Sequence, residues 1–129
     1  MILLDTHVLI WLQREPRKLS KAAASSIRRA QAHQELAISA ATLVELARLI
    51  SNGRVQSTGT IEFAIRQIVE GTTVFPINVE VAGLTTYFPP DFPSDPMDRI
   101  IAATARAEHI PLVTADARIQ ACPLLKTIW

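Results

Sequence analysis

Between Leu36 and Asn52 the chain reads LAISAATLVELARLISN, and this segment contains the pattern from which the fold can be derived. The run Leu36–Ser39 is short and apolar, which is typical of a strand that is buried on both faces of a parallel sheet. Ser39 can cap a helix that extends to about Asn52, and Gly53 stands where helices commonly end. A buried strand followed directly by a capped helix is one unit of an α/β domain.

The same alternation extends in both directions along the chain. Four more short apolar runs predict strands, at Met1–Asp5, Thr73–Ile77, Ile110–Thr114 and Thr127–Trp129. Helical patterns lie between them, at Thr6–Gln13, Lys21–Ala32, Ile61–Val69, Asn78–Tyr87 and Pro96–His109, and a short helix is expected at Ala117–Ala121. Strands that alternate with helices predict an α/β fold with a parallel sheet and right-handed crossovers.

Length and composition restrict the class of protein. The 129 residues suit one domain, which we place at residues 1–129, and 49% hydrophobic with 19% charged residues excludes a disordered chain. No apolar run reaches the ~18 residues of a membrane span, and Met1–Asp5 lacks the basic region of a signal peptide. Cys122 is the only cysteine, which excludes an internal disulfide and a cysteine zinc cluster. We therefore expect a cytoplasmic protein that does not enter membranes.

Charges of opposite sign are segregated along the chain, although the net charge is only +1. Six of the thirteen basic residues lie between Arg14 and Arg29, whereas acidic residues are concentrated in the C-terminal part. A near-neutral protein with such segregation can bind a polyanion locally. The alternative is that the basic residues form an ordinary solvated helix face.

Acidic residues fall where the predicted strands end. Asp5 ends the first strand, Asp116 lies just beyond the fourth, and Asp95 and Asp98 open the helix that leads into the fourth strand. Glu45 interrupts the otherwise apolar helix after the second strand. Ligands of parallel sheets bind at the carboxyl ends of the strands, so these acids are expected to converge there.

A cluster of carboxylates requires a cation. Two bare carboxylates ~5 Å apart repel by roughly 3 kcal/mol at an effective dielectric constant near 20. Ligands with oxygen donors alone suit Mg²⁺ or Mn²⁺, which activate water and stabilise phosphoryl oxygens. Each acid also has a structural alternative. Asp95 and Asp116 can cap helices, Asp98 can be the acid of a capping box, and Glu45 can lie on a helix surface, whereas Asp5 at the end of a buried strand is the hardest to explain in this way.

Four motifs in order resemble the PIN-domain ribonucleases, and among them the VapC-type toxins of bacterial type II toxin–antitoxin systems. The resemblance covers essentially the whole chain. The motifs are Leu3-Leu4-Asp5-Thr6-His7-Val8-Leu9-Ile10-Trp11, Ser39-Ala40-Ala41-Thr42-Leu43-Val44-Glu45-Leu46-Ala47, Asp95-Pro96-Met97-Asp98-Arg99-Ile100-Ile101-Ala102-Ala103-Thr104-Ala105 and Leu112-Val113-Thr114-Ala115-Asp116. The third is the most specific of the four.

This resemblance implies a three-layer α/β/α sandwich with a central parallel sheet of about five strands. It implies an endoribonuclease that depends on Mg²⁺ or Mn²⁺ and acts as the toxin of a toxin–antitoxin pair, with RNA as substrate, a cognate antitoxin as partner, and a homodimer as the expected assembly. The catalytic and metal-binding residues carried over by motif are Asp5, Glu45, Asp98 and Asp116. The accessory residues are Asp95, Thr6 and Thr114.

Residues outside the acidic motifs are expected to bind the substrate. The candidate RNA contacts are Arg14, Arg17, Lys18, Arg28 and Arg29. Aromatic residues are only 5%, so Trp11 and Tyr87 are the candidates for base stacking, although Trp11 extends an apolar run that favours a core or interface position. We interpret His7 as a packing or hydrogen-bonding residue at a helix start, with a substrate contact as the alternative.

The sequence also allows three other interpretations. Arg99 can form an ion pair with the adjacent Asp98 and need not be a substrate ligand. The alternative function is a catalytically silent PIN-fold module that acts through a protein partner. A phospho-acceptor domain with Asp5 as nucleophile is disfavoured, because phosphatases of the haloacid type require a second aspartate where this chain has His7.

Overall fold

The computed structural model describes residues 1–129, and it contains five strands and seven α-helices. The strands are β1 (Ile2–Leu4), β2 (Leu36–Ser39), β3 (Thr73–Phe75), β4 (Leu112–Val113) and β5 (Thr127–Ile128). The helices are α1 (Thr6–Arg14), α2 (Lys21–Ala32), α3 (Ala40–Ser51), α4 (Ile61–Ile68), α5 (Val79–Leu84), α6 (Pro96–Glu108) and α7 (Ala117–Gln120). A short 3₁₀ turn, Pro16–Lys18, links α1 to α2.

All five strands are parallel, and their order in the sheet is β3-β2-β1-β4-β5. β1 is therefore central, with Leu3 opposite Ala37 on one side and Leu112 on the other. The predicted α/β class and five-stranded parallel sheet are confirmed. The observed strands are shorter than predicted where proline intervenes, because Pro76 follows β3 and Pro111 precedes β4, and proline cannot donate a ladder hydrogen bond.

The two faces of the sheet carry separate apolar clusters. Leu4, Ile38 and Val113 point to one face and pack with residues of α1, α2, α3 and α4. Leu3, Ala37 and Leu112 point to the other and pack with residues of α6 and α7. This alternation is the period of two that a strand imposes on its side chains. Helices cover both faces of the sheet, so the fold is the predicted three-layer sandwich. β1, β2 and β4 are buried, whereas β3 at one edge of the sheet is largely exposed.

Six helices begin at a side chain that accepts a hydrogen bond from a backbone N–H of the helix that follows. Ser39, Asp95 and Asp116 were predicted to do so, and the full set is Ser20, Ser39, Thr60, Asn78, Asp95 and Asp116. The prediction of a helix from Asn78 to Tyr87 is too long, since α5 ends at Leu84 and the chain then forms turns with hydrogen bonds from Thr86 and Tyr87 to nearby carbonyls. A membrane span would need a longer and more apolar helix than any present.

Candidate active site

Four parts of the fold bring acidic residues to the carboxyl edge of the sheet. Asp5 follows β1 directly and caps α1. Asp116 lies three residues beyond β4 and caps α7. Asp95 caps α6, and Asp98 stands in the first turn of that helix. Glu45 lies in the middle of α3, which starts immediately after β2 and packs against both α1 and α6.

The five carboxylates are near enough for their charges to influence one another's pKa values. Asp98 is affected by the charges of the other four, and Glu45 by those of Asp5 and Asp95. Asp5 is affected by Asp116 as well. The structure therefore gathers all four predicted catalytic acids, together with the predicted accessory residue Asp95. No acid of this set lies on a separate face of the molecule.

Asp5 is the most enclosed member, with 9% of its surface exposed. Its Oδ1 accepts a hydrogen bond from the backbone N–H of Thr6 at 2.8 Å, and its Oδ2 accepts one from the hydroxyl of Thr114 at 2.8 Å. Burial raises the pKa of Asp5 above its ordinary value, and these two hydrogen bonds oppose that rise. Asp5 is thus fixed in position by donors on both oxygens.

Thr6 supports a second carboxylate through its hydroxyl. The hydroxyl is buried and donates to Oε1 of Glu45 at 2.6 Å. It lies 3.0 Å from the hydroxyl of Thr42, which is the donor of that pair because the single Thr6 proton goes to Glu45. Burial raises the pKa of Glu45 and the Thr6 hydrogen bond lowers it. Thr42 was not predicted, although a hydroxyl on the apolar side of α3, three residues before Glu45, is the signal that would have identified it.

The pKa of Asp98 is raised with no opposing contact. Burial and the negative charges of Asp5, Asp95, Glu45 and Asp116 raise the pKa of Asp98 to about 7. Each of these causes acts in the same direction, so nothing comparable to the threonine donors of Asp5 and Glu45 lowers it. A bound cation would remove the electrostatic part of this penalty.

Arg99 does not supply that cation. Its Nε donates to the carbonyl of Pro93 at 3.0 Å, its Nη1 donates to the carbonyl of Thr85 at 3.3 Å, and its guanidinium lies 5.7 Å above the ring of Phe92. The predicted ion pair with Asp98 is thus wrong, because the side chain turns away to hold the proline-rich loop before α6. Asp116 forms a weak ion pair, in which Arg118 Nε lies 3.9 Å from Asp116 Oδ1.

The structure separates the candidate RNA contacts into two groups. The first group follows Asp5 along the chain: Arg14 ends α1, and the 3₁₀ turn beyond it contains Arg17 and Lys18. Arg28 and Arg29 lie in the last turns of α2, and Arg29 lines a depression with Met1 and Glu35, which precede β1 and β2. This second group therefore occupies the opposite, amino edge of the sheet.

The donor set suits a hard divalent ion. All donors are carboxylate oxygens, which match Mg²⁺ and Mn²⁺. Burial and the negative neighbours raise the pKa of one of them, Asp98. No three acidic, histidine or cysteine side chains are close enough to enclose an ion by themselves. Mg²⁺ keeps several waters and takes only one or two carboxylates directly, so a looser arrangement of acids fits its chemistry.

One cavity of the molecule lies away from the acidic cluster. It has a volume of about 440 Å³ and is lined by His109, Ile110 and Lys126, which precede β4 and β5 at the amino edge of the sheet. None of the five acids contributes to its lining.

Comparison with known proteins places the chain in a family. The family model for the PIN domain matches residues 2–123. The chain belongs to the PIN domain family. Ribonuclease VapC22 of Mycobacterium tuberculosis is 37% identical over 130 residues, covering 99% of this chain and 98% of that protein. The resemblance to VapC-type PIN proteins that the motifs indicated is confirmed.

Solved structures share the PIN fold of this chain. VapBC2 of Rickettsia felis bound to a promoter DNA fragment superposes with a TM-score of 0.75 at 16% identity, covering 98% of this chain and 97% of that one. DNA-bound VapBC of Salmonella typhimurium gives a TM-score of 0.72 at 18% identity, covering 98% and 95%. FitAcB of Neisseria gonorrhoeae gives 0.70 at 19%, covering 98% and 96%. At these identities the likeness concerns the fold of the PIN domain alone.

Proposed function

We propose that this PIN domain, residues 1–129, is an endoribonuclease that requires Mg²⁺ or Mn²⁺ and acts in the cytoplasm as the toxin of a toxin–antitoxin pair. The observation that carries the proposal is the convergence of Asp5, Glu45, Asp98 and Asp116 at one sheet edge, with the pKa of Asp98 raised to about 7. The ribonuclease relative, 37% identical over nearly the whole chain, supports the reaction class.

The chain's own residues position the proposed ligands. The hydroxyl of Thr114 and the N–H of Thr6 hold Asp5, and the hydroxyl of Thr6 holds Glu45, so these carboxylates need not reorganise when an ion arrives. Asp98 and Asp116 complete the negative surface. A bound Mg²⁺ or Mn²⁺ supplies stabilisation of the phosphate oxygens and a lowered pKa for an attacking water.

Protonation of Asp98 competes with the ion. Below pH about 7 the metal-free side chain is mostly protonated, because burial and its acidic neighbours favour the neutral form. Binding of a divalent ion must displace that proton, so affinity for Mg²⁺ is expected to rise as pH increases from 6 to about 8. Calorimetric titration of Mg²⁺ at several pH values measures this dependence directly.

Cleavage of RNA is the deciding experiment. The purified chain is incubated with total RNA in Mg²⁺, in Mn²⁺ and in EDTA, and the fragment ends are sequenced. We expect cleavage only with metal, leaving 5′-phosphate and 3′-hydroxyl ends because water is the nucleophile. Asp98→Asn should abolish cleavage, and Asp91→Asn, an exposed acid outside the cluster, is the matched control. A 2′,3′-cyclic phosphate product, or cleavage that persists in EDTA, contradicts the proposal.

We also propose a protein antitoxin as partner and a homodimer as assembly. Relatives of the same fold are found in complexes described as toxin–antitoxin or VapBC assemblies, which supports the antitoxin. Co-purification with the product of an adjacent small reading frame, followed by loss of cleavage, tests the antitoxin. Sedimentation of the isolated chain tests the dimer. A chain that binds such a product yet cleaves no RNA under any metal condition is the silent binding module instead.

A further inference from the structure

Three aromatic rings lie in a continuous series beside the acidic cluster. The His7 and Trp11 ring centroids are 6.2 Å apart, and those of Trp11 and Trp129 are 5.9 Å apart. His7 is exposed, and the two tryptophans are partly exposed. We call these three residues the aromatic track. Of the two positions predicted for Trp11, core or interface, the core is not supported, because Trp11 lies outside the apolar cluster on the α1 face of the sheet. Trp129 packs against that cluster and keeps part of its surface exposed.

The track starts at the acids and leads away from them. His7 is two residues beyond Asp5, in the first turn of the helix that Asp5 caps. Trp11 is one helical turn further along the same face of α1. Trp129 comes directly after Ile128, which pairs with Val113 in the adjacent strand, so its backbone reaches the same carboxyl edge beside Thr114.

Cationic side chains accompany the track. Lys18 Nζ lies 5.7 Å from the centre of the Trp11 ring, and it also pairs with Glu15 at 3.1 Å. Arg17 is exposed in the same turn, and Arg14 extends from the end of α1 to the carbonyl of Gln56. Aromatic faces interleaved with cations are the surface that binds single-stranded nucleic acid, because bases stack on rings while cations attract phosphates.

We propose that the aromatic track stacks the bases of single-stranded RNA whose scissile phosphate lies at the acidic cluster, and this inference rests on the proposed ribonuclease function. The rings are tilted by 53° and 55° and their centroids are about 6 Å apart. A base inserted between two parallel rings needs two stacking steps of about 3.4 Å each. Bases therefore stack on the outer ring faces, one per ring, and a paired duplex whose bases are already covered is excluded.

Tryptophan fluorescence, excited at a wavelength that tyrosine does not absorb, reports on this surface alone, because Trp11 and Trp129 are the only tryptophans of the chain. The wild-type protein in EDTA, which prevents cleavage, is titrated with single-stranded oligoadenylate and with an abasic oligomer of the same length. We expect quenching by the oligoadenylate and little by the abasic strand, since only the first can stack. Trp129→Phe and Trp11→Phe then assign the quenching to one ring or the other.

Kinetics with metal supply the second measurement. Trp11→Leu, which keeps an apolar side chain, should raise KM for single-stranded RNA about fivefold to a hundredfold and leave kcat nearly unchanged. The structure does not support Tyr87, the other sequence candidate for base stacking, because its carbonyl is bound by Arg106 in the last turn of α6, at the end of the helix away from the acids. Tyr87 is an exposed aromatic residue, so Tyr87→Leu is the matched control. Thermal melting and sedimentation of each variant accompany the assays.

The outcomes separate this inference from the proposed function. Equal quenching by both strands, or no quenching by a protein that cleaves RNA, overturns stacking and leaves the nuclease intact. If only the oligoadenylate quenches the fluorescence and the protein cleaves no RNA, the stacking inference is supported and the proposed nuclease activity is refuted. A change of oligomeric state in Trp11→Leu overturns the inference, because the track is then an interface between protein chains.

Discussion

Replacing Asp98 by asparagine should stabilise the metal-free protein at alkaline pH. In the folded chain the pKa of Asp98 rises from 3.8 to about 7 through burial and four acidic neighbours. That rise corresponds to about 4 kcal/mol if taken at face value. The side chain is only half-buried, so solvent screening reduces the repulsion to about 1–2 kcal/mol. Loss of a negative charge in the first turn of α6 costs about 0.3–1 kcal/mol, which leaves a net gain near 1 kcal/mol.

The gain must depend on pH with a definite sign. Between pH 3.8 and about 7 the folded chain binds a proton at Asp98 that the unfolded chain has released. Stability conferred by this group is therefore present at low pH and lost as pH rises through about 7. Asp98→Asn has no carboxyl group at this position and so does not lose this stability as pH rises. Its free energy of unfolding should therefore exceed that of wild type most at pH 8, and the difference should vanish near pH 4.

Bound metal should reverse the order of stability of wild type and Asp98→Asn. Saturating Mg²⁺ or Mn²⁺ stabilises a folded chain that binds it, by about 2.7 kcal/mol at a hundred times Kd. Wild type should gain that stability and Asp98→Asn should lose most of it. Differential scanning fluorimetry at pH 5 and pH 8, with EDTA or metal, measures all four values, and 1 kcal/mol corresponds to about 3–5 °C in Tm. Two results would refute the hypothesis that Asp98 belongs to a repulsive, metal-binding cluster. One is an Asp98→Asn protein that is less stable than wild type in EDTA at pH 8, and the other is a wild-type Tm that does not change with metal.

Other contacts make further predictions. Thr6→Val removes the hydroxyl that donates to Glu45 at 2.6 Å and should cost about 1–3 kcal/mol in urea unfolding; a loss below about 0.5 kcal/mol would mean that the bond contributes nothing. His109 ends α6 with φ of 55°, so His109→Gly should raise the free energy of unfolding by up to about 1 kcal/mol, and a decrease would exclude strain there. Arg17→Gln should lower the salt dependence of RNA binding by about one phosphate contact, whereas Arg28→Gln at the opposite edge should not, and equal effects would argue against the track as the path of the RNA.

Much of the fold follows from local patterns that are strong in this chain. Leu36–Ser39 forms a strand of four buried residues, and Ser39 caps the next helix as predicted, because apolar runs and capping residues each act within a few positions. Strand lengths and the end of α5 were less predictable. They depend on Pro76 and Pro111, and on turns in which Thr85 and Thr86 hydroxyls bond to nearby carbonyls.

The site was predictable where parallel topology sends strand ends to a common edge. Asp5 and Asp116 follow the adjacent strands β1 and β4. The positions of Glu45, Asp95 and Asp98 could be predicted because these residues lie on helices that connect parallel strands. The direction of individual side chains was not predictable. Arg99 turns to the carbonyl of Pro93 and not to Asp98, and Trp11 meets Trp129 from the far end of the sequence, since long-range packing decides both contacts.

The order of strands in the sheet has a consequence for synthesis on the ribosome. β1 is translated before the other strands, yet Asp5 accepts a hydrogen bond from the hydroxyl of Thr114, which lies 109 residues later in the chain. β1 also needs β4 to complete its ladder, with Leu4 opposite Val113, and contacts this distant in sequence form late in folding. A nascent chain still lacking β4 therefore has no assembled cluster of acids, so the proposed cleavage of RNA requires that β4 has left the ribosome.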